Sequence, residues 1–312
     1  MEKKRRLFII SGPTAVGKSD ISIEVAKRLD GEIINADSMQ VYKGMDIGTA
    51  KLAAEQREVV PHHLFDVCDP RDDFDAATYK RLADKCIEDI TGRGKLPILV
   101  GGTGFYIQAV LYDIDFSAAE PDTVYRDELW KLADEGGAEQ LHKMLEKEDA
   151  KAADDIHPNN IKRVIRALEY IHTTGELFSA HNSMQREKES PYSFHYAVLT
   201  SPRDVLYERI DKRVDMMLEA GLVDEVRALI DRGVSPGCTS MQGLGYKEIA
   251  AYIRGEITFD EAVYILKRDS RHYAKRQLTW FKRERCLMYY DRTAYESIET
   301  LVNKLVESGC GL

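Results

Sequence analysis

Apolar residues in the first hundred positions fall into short unbroken runs separated by stretches of helical spacing. RLFII is one such run, and it stops at Ser11-Gly12. SDISIEVAKRL follows, with Ile21, Val25 and Leu29 each four residues apart, which places them on one helix face. GEIINAD is a second run, closed by Asp37, and LPILVGG is a third, with Leu96, Ile98, Leu99 and Val100 before its glycines. FYIQAVL after it again has helical character. Unbroken apolar runs describe strands covered on both faces, as in a parallel sheet with crossover helices. The pattern predicts an α/β fold whose ligands gather at the carboxyl ends of the strands.

From about Phe116 the pattern becomes helical and charged, punctuated by Gly136-Gly137 and His157-Pro158. HPNNIKRVIRALEYI predicts a helix with an asparagine cap ahead of Ile161, Val164, Ile165 and Leu168. Arg186 to Pro191 reads as a linker, after which SFHYAVLT returns to strand character. The expected organisation is a core in two parts, residues 1–115 and 196–312, interrupted by an all-helical insertion at 116–195.

Composition narrows the class only modestly. At 312 residues, with 44% hydrophobic and 31% charged, the chain has ample material for a core and resembles ordinary globular proteins. No apolar run approaches the ~18 residues of a membrane span. MEKKRR has the charged flank of a signal peptide, but a first strand behind a basic surface turn explains it better, and cytoplasmic residence is expected. The five cysteines are scattered without a C-x-x-C pair, so free thiols are expected and a structural zinc is not. Net charge is −9, which alone argues weakly against a nucleic-acid partner. Between Lys267 and Arg285, however, eight cations face only Asp269 and Glu284, a local basic stripe on an acidic body.

The chemistry starts at Gly12-Pro13-Thr14-Ala15-Val16-Gly17-Lys18-Ser19, between a predicted strand and helix. Glycines there let backbone N–H groups converge on phosphate oxygens, Lys18 adds a point charge, and Ser19 can ligate magnesium. The fold class is thereby sharpened to a P-loop NTPase-like parallel sheet flanked by helices. Asp37, directly after the second strand, either takes a proton or metal beside that loop, or caps its own turn. Gly101-Gly102-Thr103-Gly104 forms a further glycine loop at the same edge. His62-His63 does not read as a metal site, because adjacent strand residues face opposite ways. A Walker-B aspartate and an N-K-x-D motif are both missing from the core strands, so an NTP-driven motor or switch lacks parts. Read as one helix, the basic stripe sets Arg268, Arg271, Lys275, Lys282 and Arg285 along one side with Tyr273, Trp280 and Phe281 interleaved. That arrangement suits RNA backbone and bases, or equally a solvated face over core aromatics.

Taken in order, GPTAVGKS, DSMQVYKGMDIGTAK, PHHLFDV, GGTGFYIQAVL, HPNNIKRVIRALE, MQGLGYKE and KRQLTWFKR closely resemble the bacterial tRNA dimethylallyltransferases, the tRNA isopentenyltransferase (IPP transferase) family. The resemblance runs from about residue 8 to residue 290. It implies transfer of a dimethylallyl group from its diphosphate to N6 of the adenosine 3′-adjacent to the anticodon, with magnesium on the departing diphosphate through Ser19. It implies Asp37 as the base, Thr14 and Arg213 at the diphosphate (Arg209 being the nearby competitor), and Thr103 beside the tRNA. For tRNA contact it further points to Ser38, Met39 and Gln40, Arg126 in the insertion, and Lys162, Arg163 and Arg166 on the helix after His157-Pro158. Gly243, Gly245, Tyr246, Lys247, Lys275, Arg276, Gln277 and Lys282 complete that set. The helical insertion would grip the anticodon stem, no membrane is involved, and a monomer is expected. On residue physics alone, a small-molecule kinase holding ATP in the loop is the main competitor. A non-catalytic RNA-binding module is a third reading, against which the intact Lys18, Ser19 and Asp37 count.

Overall fold

The computed structural model describes residues 4–116 and 122–312. The expected basic turn at the start and the first residues of the expected insertion therefore lie partly outside the described residues. The chain opens with β1 (Arg5–Ser11), α1 (Lys18–Arg28), β2 (Gly31–Asn35), a single turn of helix α2 (Ala54–Arg57) and the two-residue strand β3 (His62–His63). Next come α3 (Ala76–Gly92), β4 (Leu96–Gly101) and α4 (Gly104–Leu111). Five helices follow: α5 (Thr123–Asp134), α6 (Ala138–Glu148), α7 (Ala150–Asp155), α8 (Ile161–Thr174) and α9 (Phe178–Glu187). The remainder is β5 (Tyr192–Thr200), α10 (Arg203–Glu219), α11 (Leu222–Asp231), α12 (Tyr246–Ile253), α13 (Phe259–Phe281), β6 (Met288–Asp291) and α14 (Ile298–Cys310).

The strands form one six-stranded sheet in the order β3-β2-β4-β1-β5-β6, and every pairing is parallel. In β1, Leu7, Phe8, Ile9 and Ile10 are all fully buried, so both faces of the strand are covered, as its unbroken apolar run predicts. Phe8, Ile10, Ile33, Ile98 and Leu199 form one core with Ile21 and Val25 of α1 and Leu301 and Leu305 of α14. Because β1 lies between β4 and β5, the strand order reverses at its carboxyl end, where open α/β sheets leave a crevice.

Chain contacts divide the molecule into two compact units, residues 1–110 with 191–312, and residues 111–190. Composition sets these boundaries at 115/116 and 195/196, because the charged character that marks the insertion begins after the chain has left the sheet. The second unit has its own core of Leu129, Leu141, Leu145, Val164, Ile165 and Leu168. Within it Arg126 donates twice to the buried carboxylate of Glu169, at 3.1 and 2.6 Å.

Several local expectations are corrected. α9 continues to Glu187, so the stretch read as a linker from Arg186 is partly helical. Asn160 occupies the N-cap of α8, but its side chain makes no capping hydrogen bond. α13 ends at Phe281, so Lys282 to Arg285 lie beyond it and do not extend its basic face. β3 and β6 were not predicted, since two and four residues are too short for periodicity to register.

Candidate active site

β1 delivers the chain into the phosphate loop, and Gly17, in the left-handed region at φ 93°, starts α1. Gly12 is held at φ 142°, and any Cβ there would run into the carbonyl oxygen of Leu199. A side chain at this position is excluded by conformation and by space. Lys18 Nζ folds back onto the carbonyls of Gly12 and Pro13, at 3.0 and 2.9 Å. The loop is held from two directions. Gln277 of α13 accepts from Thr14 N and donates to Gly102 O, both at 2.9 Å, tying the phosphate loop to the other glycine loop. Arg292 donates to Val16 O at 3.0 Å.

Asp37 follows β2 by two residues, and its backbone is fixed before its side chain is considered. Asn35, buried, accepts from Asp37 N at 3.1 Å and donates to Asp37 O at 3.2 Å and Leu64 O at 3.1 Å. One carboxylate oxygen of Asp37 accepts from Met39 N at 2.9 Å, closing a local turn. Thr103 Oγ1 accepts from Ser38 N at 3.0 Å, so the second glycine loop braces the residue after Asp37. Of the two roles open for Asp37 in the sequence, the turn cap is met through this one carboxylate oxygen.

Two cavities meet here. One of about 110 Å³ is lined by Thr14, Ala15, Gly17, Lys18, Ser19, Asp37, Gln40 and Arg213 among others, which is the phosphate side. The other, of about 290 Å³, is lined by Asp37, Ser38 and Met39 on one side. Its remaining walls include the apolar side chains of Ile210, Val214, Met217, Leu244 and Leu266. Thr14, Asp37, Thr49, Arg213 and Tyr273 line both. Arg213 Nη1 reaches Thr14 Oγ1 at 3.4 Å. Burial lowers the Lys18 ammonium to about 8, helped by the Arg213 charge and opposed by that of Asp37. Burial likewise lowers Arg213, and Asp37 opposes it. Burial pushes the Tyr273 phenol well up, and the Asp37 charge adds to this. A pocket holding two buried cations with one acid at its edge therefore adjoins a largely apolar one, and burial weakens the hold of both cations on their protons.

The residues named from sequence divide accordingly. Ser38, Met39, Gly243, Tyr246, Lys247 and Arg276 line the larger cavity. Val16 has its side chain in the core, and Gly245, at φ 93°, starts α12. Tyr246 is fully buried and donates to Glu225 at 2.7 Å, and the Gln277 amide is occupied by backbone groups, so neither is a free surface contact. Arg209 lines neither cavity. Of the basic stripe, Lys267 pairs with Asp215, Arg271 with Asp211 and Arg268 with Asp269, at 2.6, 2.6 and 2.8 Å. Lys275, Arg276 and Lys282 are exposed, with the Arg276 guanidinium 5.6 Å from the Tyr273 ring centre. Phe281 is buried and Trp280 packs edge-on to Phe105, so these aromatics serve packing. On α8, Lys162, Arg163 and Arg166 are all exposed. His63 pairs with the buried Glu32 at 2.8 Å and His62 bonds Val60 O at 2.7 Å.

Asn35, Glu225, Tyr273 and Arg292 were missed by sequence reading. Only Tyr273, lying between basic residues, carried a signal that could have been weighed further.

A model of the IPP transferase family matches residues 40–284, and one for isopentenyl transferase matches residues 5–63. A tRNA dimethylallyltransferase of Lachnoclostridium phytofermentans is 54% identical over 301 residues, covering 96% of each chain. The full-length tRNA isopentenylpyrophosphate transferase of Bacillus halodurans is 46% identical, covers 99% of both chains and superposes with a TM-score of 0.73. A eukaryotic dimethylallyltransferase acting on tRNA is 29% identical with a TM-score of 0.83, over 97% of this chain and 80% of its own.

Proposed function

The chain belongs to the IPP transferase family, and from that premise we propose that it transfers a dimethylallyl group from dimethylallyl diphosphate to N6 of the tRNA adenosine 3′-adjacent to the anticodon. The observation that carries this reading is the meeting of the two cavities at Asp37, Thr14 and Arg213. A diphosphate in the cationic cavity directs its allylic carbon toward the apolar one, where a base turned out of the anticodon loop presents its N6. Unstacking that base costs a few kcal/mol, which contacts to the RNA backbone offset.

Adenine N6 is a weak nucleophile because its lone pair is delocalised into the ring. As the N6–carbon bond forms and the carbon–oxygen bond breaks, Asp37 accepts the N6 proton. Charge growing on the departing diphosphate is received by Lys18, Arg213, Thr14 and the N–H groups of the loop. The donor set fits a divalent ion carried by the diphosphate: Ser19 and Asp37 line the same cavity, and no cluster of three metal-ligating side chains occurs among the described residues. Magnesium, when bound there through Ser19, would supply further charge neutralisation of the leaving group. Lys162, Arg163 and Arg166 supply the helical unit with charge for the stem phosphates, and Lys275, Arg276 and Lys282 do so for the core. Among the described residues no helix is long and apolar enough to cross a membrane, and the tRNA substrate supports a cytoplasmic site of action. We take the monomer as the working unit.

The discriminating assay incubates the protein with an unmodified anticodon stem-loop and either labelled dimethylallyl diphosphate or ATP. Prenyl transfer to RNA with release of diphosphate is the expected result. ATP-dependent phosphorylation of a small molecule without prenyl transfer would return the loop to a kinase.

A further inference from the structure

On the reading proposed above, we infer that Glu225 is a positioning residue for the reaction, acting through Tyr246 and the turn at Asp46–Gly48. Its carboxylate is saturated: Oε2 accepts from Asp46 N at 2.9 Å and Ile47 N at 2.8 Å, and Oε1 accepts from Gly48 N at 3.1 Å and the Tyr246 hydroxyl at 2.7 Å. Three consecutive backbone N–H groups converging on one carboxylate make an anion nest, here filled from within the protein. What it fixes is a wall of the larger cavity, since Gly48, Thr49 and Tyr246 all line it together with the apolar side chains of α10.

The contact between the two halves of that wall is close. A Cβ on Gly48 would lie 2.6 Å from the Tyr246 ring and 2.8 Å from its oxygen, so ring and turn are in van der Waals register. The turn in turn bears on Asp37's neighbourhood, because Gln40, three residues on from Asp37, donates to Thr49 O at 2.9 Å. Glu225 therefore sets the width of the cavity in which the allylic chain and the base are brought together. It touches neither of them.

Neither oxygen of Glu225 can be exchanged for an N–H without opposing at least one backbone N–H, two at Oε2 and that of Gly48 at Oε1, so Glu225→Gln breaks the nest in either amide orientation. The test measures prenyl transfer from dimethylallyl diphosphate and from the longer geranyl diphosphate for wild type, Glu225→Gln and the milder Tyr246→Phe, alongside the tRNA Kd. Expected for Glu225→Gln is a fall of tenfold or more in kcat/KM for dimethylallyl diphosphate, with the tRNA Kd within about twofold. For both variants the preference for the shorter donor should drop several-fold, since the ring no longer has a fixed position. A merely structural strut would lower Tm and leave that preference unchanged. An unchanged preference in Tyr246→Phe, which keeps the three backbone donors to Glu225 and whose folding is checked by its Tm, overturns the inference even if Glu225→Gln does not fold. Wild-type transfer is the control that separates the two claims: without it the proposed function falls, whereas an active wild type with indifferent variants removes only the role of Glu225.

Discussion

Lys18 shows at the scale of one residue how burial writes function into charge. With no anion beside it, its ammonium is held at about 8, well below the usual lysine value of 10.5, by burial and by Arg213. The negative charge of a bound diphosphate outweighs both effects and favours the ammonium, so binding takes up a proton wherever the free lysine is neutral. Between the last ionisation of the diphosphate, at about pH 6, and about pH 8, affinity for dimethylallyl diphosphate should be flat, and it should fall as pH rises above about 8. Calorimetry in buffers of different ionisation enthalpy should show more proton uptake above about pH 8 than at about pH 7; uptake absent above about pH 8 would remove Lys18 from the binding step. Lys18 and Asp37 stood out in the sequence, Lys18 as part of the glycine loop after the first apolar run and Asp37 as the residue that closes the second. What holds them was not. Gln277 reaches Thr14 across 263 positions, and Asn35 clasps Asp37 by a side chain that looks like part of a strand. The resemblance implies Arg126 as an RNA contact; its guanidinium also pairs with the buried Glu169, a partner 43 residues away. Such pairings are tertiary facts, and no local pattern encodes them.

α13 makes the same point for a whole element. Thr258 and Glu261 cap each other's backbone at its start, a signal visible in the sequence. Its cations look uniform in sequence, but the structure sorts them into two groups. Lys267, Arg268 and Arg271 belong to acid pairs, two of them reaching Asp215 and Asp211 on α10. Lys275 and Arg276, beyond the last of these, are exposed. Replacing Lys275 and Arg276 with alanine should weaken tRNA binding and reduce the slope of log K against log salt by about 1 to 2. The same change at Lys267 and Arg271 should cost Tm and leave the slope nearly unaltered. Equal slopes for the two pairs would return the stripe to a solvated face. The length of this helix was misread because its charge pattern continues past Phe281, where the backbone turns away into Arg283 and Glu284.

For the molecule as a whole, the class was legible and the assembly only partly so. Three unbroken apolar runs and the strand character of SFHYAVLT announced the central strands, and the change to amphipathic helices announced a second unit. β3 and β6, at the two edges of the sheet, are short and half-exposed, so burial leaves little trace in their sequence. Family likeness points to the reaction, and the proposed site fits it in one respect: a pocket lined by Lys18 and Arg213 and a more apolar one share Asp37 in their linings. The most direct test is the single-turnover rate of prenyl transfer by Asp37→Ala, measured with saturating anticodon stem-loop and dimethylallyl diphosphate. Loss of a general base predicts a rate lower by about 10² to 10⁴, with the tRNA Kd changed by no more than a few-fold. A single-turnover rate near that of the wild type would contradict the account and require another group to take the N6 proton.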